Sequence, residues 1–138
     1  MSIEVIKIFI DKKEQKKIEV DEFGIIEDKH YAKDLDRSIL ITSPISYEIA
    51  KTNNIPLNIG ELSENIYINL NIYNLNIGST LRIGEVELQI TQHCTLCKHL
   101  TKINSKLPKL LKNDRGVFTK VIKSGVIKIG DKIEIFKT

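Results

Sequence analysis

Residues 81–90 read Leu-Arg-Ile-Gly-Glu-Val-Glu-Leu-Gln-Ile, and they indicate the architecture of the whole chain. Apolar and polar side chains alternate on both sides of Gly84-Glu85, which is the two-residue period of a half-buried β-strand. A two-residue loop with glycine in its first position suits a type II′ turn between antiparallel strands. The stretch therefore predicts a β-hairpin.

Similar runs lie on both sides of this hairpin. Towards the C-terminus, residues 117–122 and 126–129 flank Ser124-Gly125 and predict a second hairpin, and Gly130-Asp131 leads into a strand at 132–136. Towards the N-terminus, runs rich in β-branched residues predict strands at 3–10, 18–20, 37–42 and 64–70. The lysine-rich segment 12–17 is interpreted as a hairpin loop.

Two segments have helical signals instead. Ser43-Pro44 resembles an N-cap followed by proline in the first turn, and the apolar spacing beyond it predicts a helix over 44–52. Residues 97–113 carry leucines at helical spacing and predict one or two helical turns on either side of Pro108. The sequence thus predicts one all-β domain over residues 1–138, a mainly antiparallel β-barrel with one or two short peripheral helices.

Composition limits the classes of function. Of the 138 residues, 41% are hydrophobic and 28% are charged, which is ordinary for a globular domain. No apolar run approaches the roughly 20 residues of a membrane span, and no secretory signal pattern opens the chain, so we expect a cytoplasmic protein without a membrane partner. The net charge of +3 comes mostly from scattered lysines, so we expect no nucleic-acid partner.

Cys94 and Cys97 are three residues apart, a spacing that in a cytosolic chain is more often a metal or redox site than a structural disulfide. Cys97 follows a predicted strand at a predicted helix start, beside Lys98. Both features favour the thiolate, which binds soft metals and attacks sulfur donors, so we expect Cys97 to be the more reactive thiol. The alternative is that Cys97 is a small buried apolar residue.

A zinc site is the second interpretation of this segment. Cys94, Cys97 and a histidine could provide most of such a site, with His93 and His99 in the same segment. A structural zinc ion takes four ligands, and His30 is the remaining histidine. Zinc therefore stays an alternative cofactor, in a non-catalytic binding module.

Four stretches are informative through their order and spacing. They are Gly-Ile-Ile-Glu-Asp-Lys-His at 24–30 with Arg-Ser-Ile-Leu-Ile at 37–41, Gly-Glu-Leu-Ser-Glu-Asn-Ile at 60–66, Leu-Arg-Ile-Gly at 81–84 with Ile-Thr-Gln-His-Cys-Thr-Leu-Cys at 90–97, and Arg-Gly-Val-Phe at 115–118 with Ser-Gly at 124–125 and Ile-Gly-Asp at 129–131. Together they resemble the MOSC domain, named for the C-terminal part of molybdenum cofactor sulfurase.

The resemblance implies a β-barrel with a cleft for a molybdopterin-type molybdenum cofactor. It also implies a catalytic cysteine that ligates molybdenum or carries sulfur as a persulfide, and this role falls on Cys97, with Cys94 secondary. The implied chemistry is oxo or sulfur transfer at molybdenum, or cofactor and sulfur carriage without catalysis. The chain has no room for a pyridoxal-phosphate desulfurase or an electron-transfer domain, so we expect a cysteine desulfurase-like sulfur donor or an electron-transfer protein as partner.

Five further residues are candidates for binding the cofactor: Asp28, His30, Arg37, Asn65 and Arg115. Arg37 could hold a phosphate or carboxylate while Asp28 holds Arg37, or the segment could contain only a salt bridge and a surface histidine. Asn65 could pair with a pterin ring or could hold the preceding turn. Arg115 could cover an anion, or it could be a solvated residue before a turn glycine.

Two positions depart from the family pattern. Family members commonly have glycine where this chain has Glu27 and Ser63. Glycine there would permit a positive φ or a close backbone approach to a ligand. Glu27 also adds a negative charge beside Asp28, close to where a pterin phosphate is expected.

Overall fold

The computed structural model describes residues 2–94 and 98–137, with the backbone alone at 98 and 99. Within these residues the chain forms eleven strands, three short α-helices and a 3-10 turn at Leu35–Arg37. The strands are β1 (Val5–Ile10), β2 (Lys13–Gln15), β3 (Lys17–Asp21), β4 (Gly24–Ile25), β5 (Ile39–Thr42), β6 (Ile66–Ile68), β7 (Thr80–Ile83), β8 (Val86–His93), β9 (Val117–Lys123), β10 (Gly125–Lys128) and β11 (Ile133–Phe136). The helices are α1 (Pro44–Thr52), α2 (Lys98–Ile103) and α3 (Leu107–Leu110).

Eight strands form one mixed sheet in the order β11-β7-β8-β9-β5-β6-β1-β2. Neighbours pair antiparallel except β5 and β6, which run parallel. A parallel pair needs a crossover between its strands, and here the chain crosses through α1 and residues 53–65. This crossover places residues 63–65 beside the start of β5, where several predicted site residues lie.

A second sheet of three strands, in the order β10-β3-β4, packs on the first. The main core lies between them and contains apolar residues from both sheets, for example Ile18 and Ile127 from the small sheet and Ile41 and Leu88 from the large one. A smaller core of Ala50, Ile55, Leu62, Leu100, Leu107 and Leu111 joins the three helices to the loop before β6.

The predicted predominance of β-structure is confirmed, but a closed antiparallel barrel is not found. Across the described residues the large sheet is open, ending at β11 and β2, and it contains one parallel pair. An isolated antiparallel bridge between Glu4 and Lys132 joins the segments just before β1 and β11. A single bridge is not a ladder of paired strands, so barrel closure stays a prediction.

The hairpin predicted at residues 81–90 is confirmed. β7 and β8 pair with Ile83 opposite Val86, and Gly84 has a φ of 58° while Glu85 is not among the positive-φ residues, as a type II′ turn requires. The second predicted hairpin is wrong. Within the described chain, β10 pairs with β3 rather than with β9, so the chain leaves the large sheet at Ser124-Gly125 and crosses to the small one.

Other predicted elements are confirmed with shifted bounds. The helix at 44–52 is α1, with Pro44 in its first turn, although Ser43 provides no side-chain cap. Pro108 does not separate two helical pieces but lies in the first turn of α3, where a missing N–H is tolerated. The lysine-rich loop is shorter than expected, because the turn lies at Asp11-Lys12 and Lys13–Gln15 forms β2. In the part of the chain that is described, no helix has the length and apolar character that a membrane crossing requires.

Candidate functional site

A cleft with a volume of about 460 Å³ lies where the loop before β5, the loop before β6, the end of β8 and the start of β9 meet. It is lined by Lys29, His30, Lys33, Asp34, Arg37, Leu40, Ser63, Asn65, Cys94, Arg115 and Phe118. Four of the five residues predicted to bind a cofactor are in this set, from three distant parts of the sequence. Asp28 lies directly behind His30.

Arg115 is buried in the cleft wall, with 3% of its surface exposed. Its Nη2 donates to the Leu62 carbonyl at 2.7 Å and its Nη1 donates to the sulfur of Cys94. Its Nε has no hydrogen-bond partner among the described residues. The interpretation of Arg115 as a solvated arginine is therefore wrong, because the guanidinium is enclosed by the loop before β6 and the end of β8.

Gly116 explains how Arg115 reaches this position. Its φ is +151°, and a Cβ there would lie 2.7 Å from the Ile41 carbonyl oxygen of β5. Only glycine allows the chain to approach β5 this closely at the start of β9. The backbone N–H of Cys94 donates to the Gly116 carbonyl at 2.9 Å, which fixes the end of β8 beside the same residue.

Arg37 lies at the exposed mouth of the cleft. Its guanidinium carbon is 5.1 Å from the centroid of the Phe118 ring, and its Nε donates to the side chain of Gln92 at 3.3 Å. The prediction that Asp28 holds Arg37 is wrong, since no ion pair joins them among the described residues. The Phe118 ring and the Gln92 amide oxygen orient Arg37 at the cleft.

Asp28 holds His30 instead. The Asp28 carboxylate accepts from the His30 backbone N–H at 3.0 Å and lies 3.3 Å from His30 Nδ1. The Asp28 side chain is 3% exposed whereas that of His30 is 61% exposed. His30 is thus a surface histidine that contacts a buried carboxylate and lines the cleft.

The Asn65 side chain connects two strands, β5 and β1, rather than stabilising the preceding turn. Its Oδ1 accepts from the Leu40 backbone N–H at 2.9 Å, and its Nδ2 donates to the Phe9 carbonyl at 3.4 Å. The side chain is therefore fixed between β5 and β1 while it lines the cleft. A role in binding a pterin ring stays a prediction.

A buried carboxylate lies next to Asn65 in sequence. Glu64 is 1% exposed, and its Oε2 accepts from Thr42 Oγ1 at 2.6 Å and from the Tyr47 hydroxyl. Burial, followed by the charge of Glu64, raises the pKa of Tyr47 far above its ordinary range. This network connects α1 and β5 to the loop that carries Ser63 and Asn65.

Lysines form the rim of the cleft. Lys29 and Lys33 line it together with Arg37, while Asp34 is the acidic residue among the lining side chains. Lys29 also donates to Asp11 at 3.1 Å, and this hydrogen bond, together with the charge of Lys29, lowers the pKa of Asp11. The rim therefore favours anions.

A larger depression of about 820 Å³ lies between the C-terminal end of α1 and residues 54–59, and Lys7 and Lys51 are among its lining residues. No described residue of the predicted site lines it. Size alone does not define a site, and the chemistry-bearing side chains converge in the smaller cleft.

Cys97, predicted to be the catalytic and metal-binding residue, lies outside the described residues, and so does the side chain of His99. Among the residues that are described, no group of three or more His, Cys, Asp and Glu side chains could hold a metal ion. The zinc alternative depends on Cys97 and is therefore untested.

The MOSC domain family model matches residues 27–134. This chain belongs to the MOSC domain family. The family is associated with molybdenum cofactor-related sulfurase function. No protein of curated function matches the chain.

Solved structures have the same fold as this MOSC domain. The YuaD protein from Bacillus subtilis superposes with a TM-score of 0.87 at 20% identity, covering 100% of this chain and 97% of that one. YiiM from Escherichia coli gives 0.80 at 19% identity over 100% of this chain and 71% of that one. YiiM from Geobacillus stearothermophilus gives 0.79 at 17% identity over 96% and 74%. At these identities the likeness concerns the fold.

Sequence reasoning missed several residues of the MOSC cleft. Lys29 and Lys33 were counted only among the scattered lysines, and Phe118 was not singled out although it follows Arg115-Gly116-Val117 directly. Cys94 was treated as secondary. The sequence signal for Phe118 was its place at the end of the stretch Arg115-Gly116-Val117-Phe118. In the structure Leu40 pairs with Phe118 across β5 and β9, and this register places the Phe118 ring near Arg37.

Proposed function

We propose that this MOSC domain binds a molybdopterin-type cofactor in the cleft around Arg37 and Arg115, with Cys97 as molybdenum ligand or persulfide carrier. The observation that carries the proposal is the buried guanidinium of Arg115, which lines the cleft and has an Nε without a partner among the described residues. A buried guanidinium that has no carboxylate partner among the described residues favours an anion nearby.

The charges around the cleft suit a phosphate-bearing ligand. Lys29, Lys33 and Arg37 surround the mouth, and Arg115 lies deeper in the wall. Arginine provides a planar set of donors that matches phosphate geometry, whereas lysine adds charge without direction. We therefore assign Arg37 the phosphate contact and the two lysines a general attraction of anions.

The size and walls of the cleft also suit the cofactor. Its volume of about 460 Å³ is within the usual range for small-molecule sites. Leu40 and Phe118 provide apolar surface against which a fused ring can lie, and the Asn65 amide lies at the same wall. When bound, the cofactor would supply oxo- or sulfur-transfer chemistry at molybdenum.

In this chemistry the side chains of the protein bind and orient the cofactor and provide one sulfur atom. Arg37 and the lysines bind and orient the anionic end of the cofactor, Arg115 stabilises negative charge in the wall, and Cys97 provides the sulfur. A cysteine desulfurase-like donor or an electron-transfer protein would complete the reaction. A carrier without catalysis would use the same residues.

The test is the metal and pterin content of the protein purified from its own host, with Arg37→Met and Cys97→Ser variants prepared in parallel. We expect molybdenum and pterin in the wild-type protein, both reduced in R37M, and molybdenum reduced in C97S. Zinc near one equivalent without pterin would replace the proposal with a zinc-binding module. Neither metal nor pterin would also overturn it.

A further inference from the structure

Four strands of the large sheet, β11, β7, β8 and β9, have a face directed away from the main core. In β7, Leu81 and Ile83 belong to that core, whereas Arg82 between them is exposed. The other three strands show the same alternation, apart from the register shifts between β8 and β9. The outward side chains are Thr80 and Arg82 in β7, Glu87 and Gln89 in β8, Lys120 and Lys123 in β9, and Glu134 and Phe136 in β11.

The strand register places four charged residues of this outward face in one row. Arg82 has Glu134 opposite it on β11 and Glu87 opposite it on β8. Glu87 in turn lies opposite Lys123 on β9. The signs alternate along the row, and none of these residues forms an ion pair with another described residue. A row of this kind is complementary to its own reverse, because each acid then meets a base.

A second row lies beside the charged one. Thr80 has Phe136 opposite it on β11 and Gln89 opposite it on β8. Gln89 in turn lies opposite Lys120 on β9. The reverse of this row brings an ammonium group to an aromatic ring and a hydroxyl to an amide, and both pairings are favourable. The guanidinium carbon of Arg82 lies 5.6 Å from the centroid of the Phe136 ring, and this contact keeps the arginine on the outward face.

We propose that two copies of this chain associate through the outward face as a symmetric dimer, with the two-fold axis parallel to the strands and between β7 and β8. This rotation places β7 over β8 of the partner subunit and β11 over β9 of the partner subunit, so each row meets its own reverse. Arg82 then meets the partner subunit's Glu87, and Glu134 meets the partner subunit's Lys123. Each contact occurs twice because the interface is isologous.

The fold permits this approach. Sheets that stack face to face lie about 10 Å apart with their strands within about 30° of each other, and long charged side chains from both sides can fill that distance. Neither Arg82 nor Glu87 lines the cleft, so the inference is independent of the proposed function.

The composition of the outward face favours a second copy over other partners. The charged row contains two acids and two bases, so it has no net charge to attract a nucleic acid or an acidic protein. Ile122 and Phe136, on β9 and β11, are 54% and 46% exposed, which is too little apolar surface for a membrane. The face has fewer side chains than the roughly 20–30 per partner of a standard interface, so we expect a reversible dimer with a Kd in the micromolar range.

Sedimentation velocity on the wild-type chain tests the association directly. Between about 1 and 200 µM, the range in which a micromolar Kd changes the fraction of dimer, we expect the mean mass to rise from monomer towards dimer. Added salt should weaken the dimer, because the contacts join exposed charges. A chain that stays monomeric at about 200 µM in low salt would overturn the proposal.

Charge reversal tests the register of the two copies. R82E and E87R each turn an attractive contact into a repulsive one at two symmetric places, so each should weaken dimerisation about tenfold or more. The double variant R82E/E87R restores opposite signs across the interface and should return the Kd to within about threefold of the wild type. K109E is the matched control, since it makes the same change of charge as R82E at an exposed position on α3 and should leave the Kd unchanged.

A second set of variants covers the outer contact. If R82E or E87R does not fold, as judged by circular dichroism, E134K, K123E and the double variant E134K/K123E repeat the comparison with the same expected results. An R82E protein that dimerises as well as K109E would place the contact on another surface and overturn the inference. Weakening by both single variants without recovery in the double variant would overturn the pairing of Arg82 with the partner subunit's Glu87.

Discussion

Glu27 and Ser63 share a left-handed backbone conformation, with φ angles of 77° and 64°. They are the two positions at which the MOSC resemblance implies glycine, so this chain has retained the backbone shape and changed the side chains. A non-glycine residue in this region costs roughly 1–2 kcal/mol. Both residues lie in loops that form or adjoin the cleft, so the loop geometry is maintained against the local preference of the sequence.

Replacing Glu27 with glycine should stabilise the protein. Its side chain is exposed, so the change removes backbone strain without removing a buried contact. Part of the gain is offset because glycine has more freedom in the unfolded chain, and we expect a net increase of about 0.5–1 kcal/mol in the free energy of unfolding. Urea unfolding measures it.

The matched control is Glu22→Gly, at an exposed position whose φ is not positive. At position 22 glycine relieves no backbone strain, so it should lower the free energy of unfolding by a few tenths of a kcal/mol or more. An E27G protein as destabilised as E22G would show that residue 27 does not hold the left-handed conformation in solution.

The sequence predicted the local elements of the fold better than its long-range pairings. The alternation around Gly84-Glu85 specifies a hairpin because the turn and both strands are local. The same alternation at 117–129 failed, since β10 pairs with β3, more than a hundred residues earlier in the chain. Side-chain alternation reports which face is buried but not which strand is the neighbour.

The site followed the same pattern. The resemblance grouped Asp28, His30, Arg37, Asn65 and Arg115. The last four line one cleft, whereas Asp28 does not line it and contacts His30 instead. It did not predict that Asp28 contacts His30 rather than Arg37, because that contact depends on the local geometry of the loop before β5. It also did not predict that Arg37 lies on Phe118, because that contact depends on the register of β5 and β9. The burial of Arg115 depends on the close approach of Gly116 to β5, which no local pattern encodes.

Gly116→Ala should be strongly destabilising. The added methyl would lie 2.7 Å from the Ile41 carbonyl oxygen and 3.2 Å from Thr42 Cγ2, and φ is +151°. Because the nearest atom belongs to the backbone of a central strand, relief requires β9 to move, and we expect a loss of about 2–4 kcal/mol in urea unfolding. Gly130→Ala is the control, with φ +89° and no atom within 4 Å. It should cost about 1 kcal/mol, and equal losses would show that steric contact at Gly116 is unimportant.

Tyr47 should make stability depend on pH in alkaline solution. Burial first, and then the charge of Glu64, raises the pKa of Tyr47 in the folded protein, whereas in the unfolded chain it titrates near its ordinary value of about 10. The contribution of Tyr47 to the free energy of unfolding is therefore complete below about pH 10. Above that pH the unfolded chain loses the proton and the folded one keeps it, so stability falls by about 1.4 kcal/mol per pH unit from this group.

Tyr47→Phe tests this by difference. At neutral pH the variant should be less stable by about 1–2 kcal/mol, because Glu64 loses a donor, and the gap to wild type should shrink above pH 10. Tyr31→Phe is the comparison. The pKa of Tyr31 is also raised, first by its hydrogen bond to Asp21, but Asp21 is more exposed than Glu64, so the alkaline change should be smaller for Y31F than for Y47F. A gap for Y47F that stays constant from pH 8 to pH 11, where the alkaline effect is expected, would show that Tyr47 ionises normally in the folded protein.

Arg37→Met should weaken binding of a phosphorylated pterin, followed by the fluorescence of the pterin itself. The loss of one charge-assisted contact to phosphate corresponds to about 1.5–3 kcal/mol, or roughly tenfold or more in Kd. Arg82→Met is a close control because Arg82 also lies over an aromatic ring, 5.6 Å from the centroid of Phe136, but outside the cleft. If general surface charge controlled binding, the two variants would weaken it equally. If the cleft controls binding, R37M alone should weaken it. The affinity of R37M should also fall less steeply with added salt than that of the wild type, because one of the charges that salt screens has been removed.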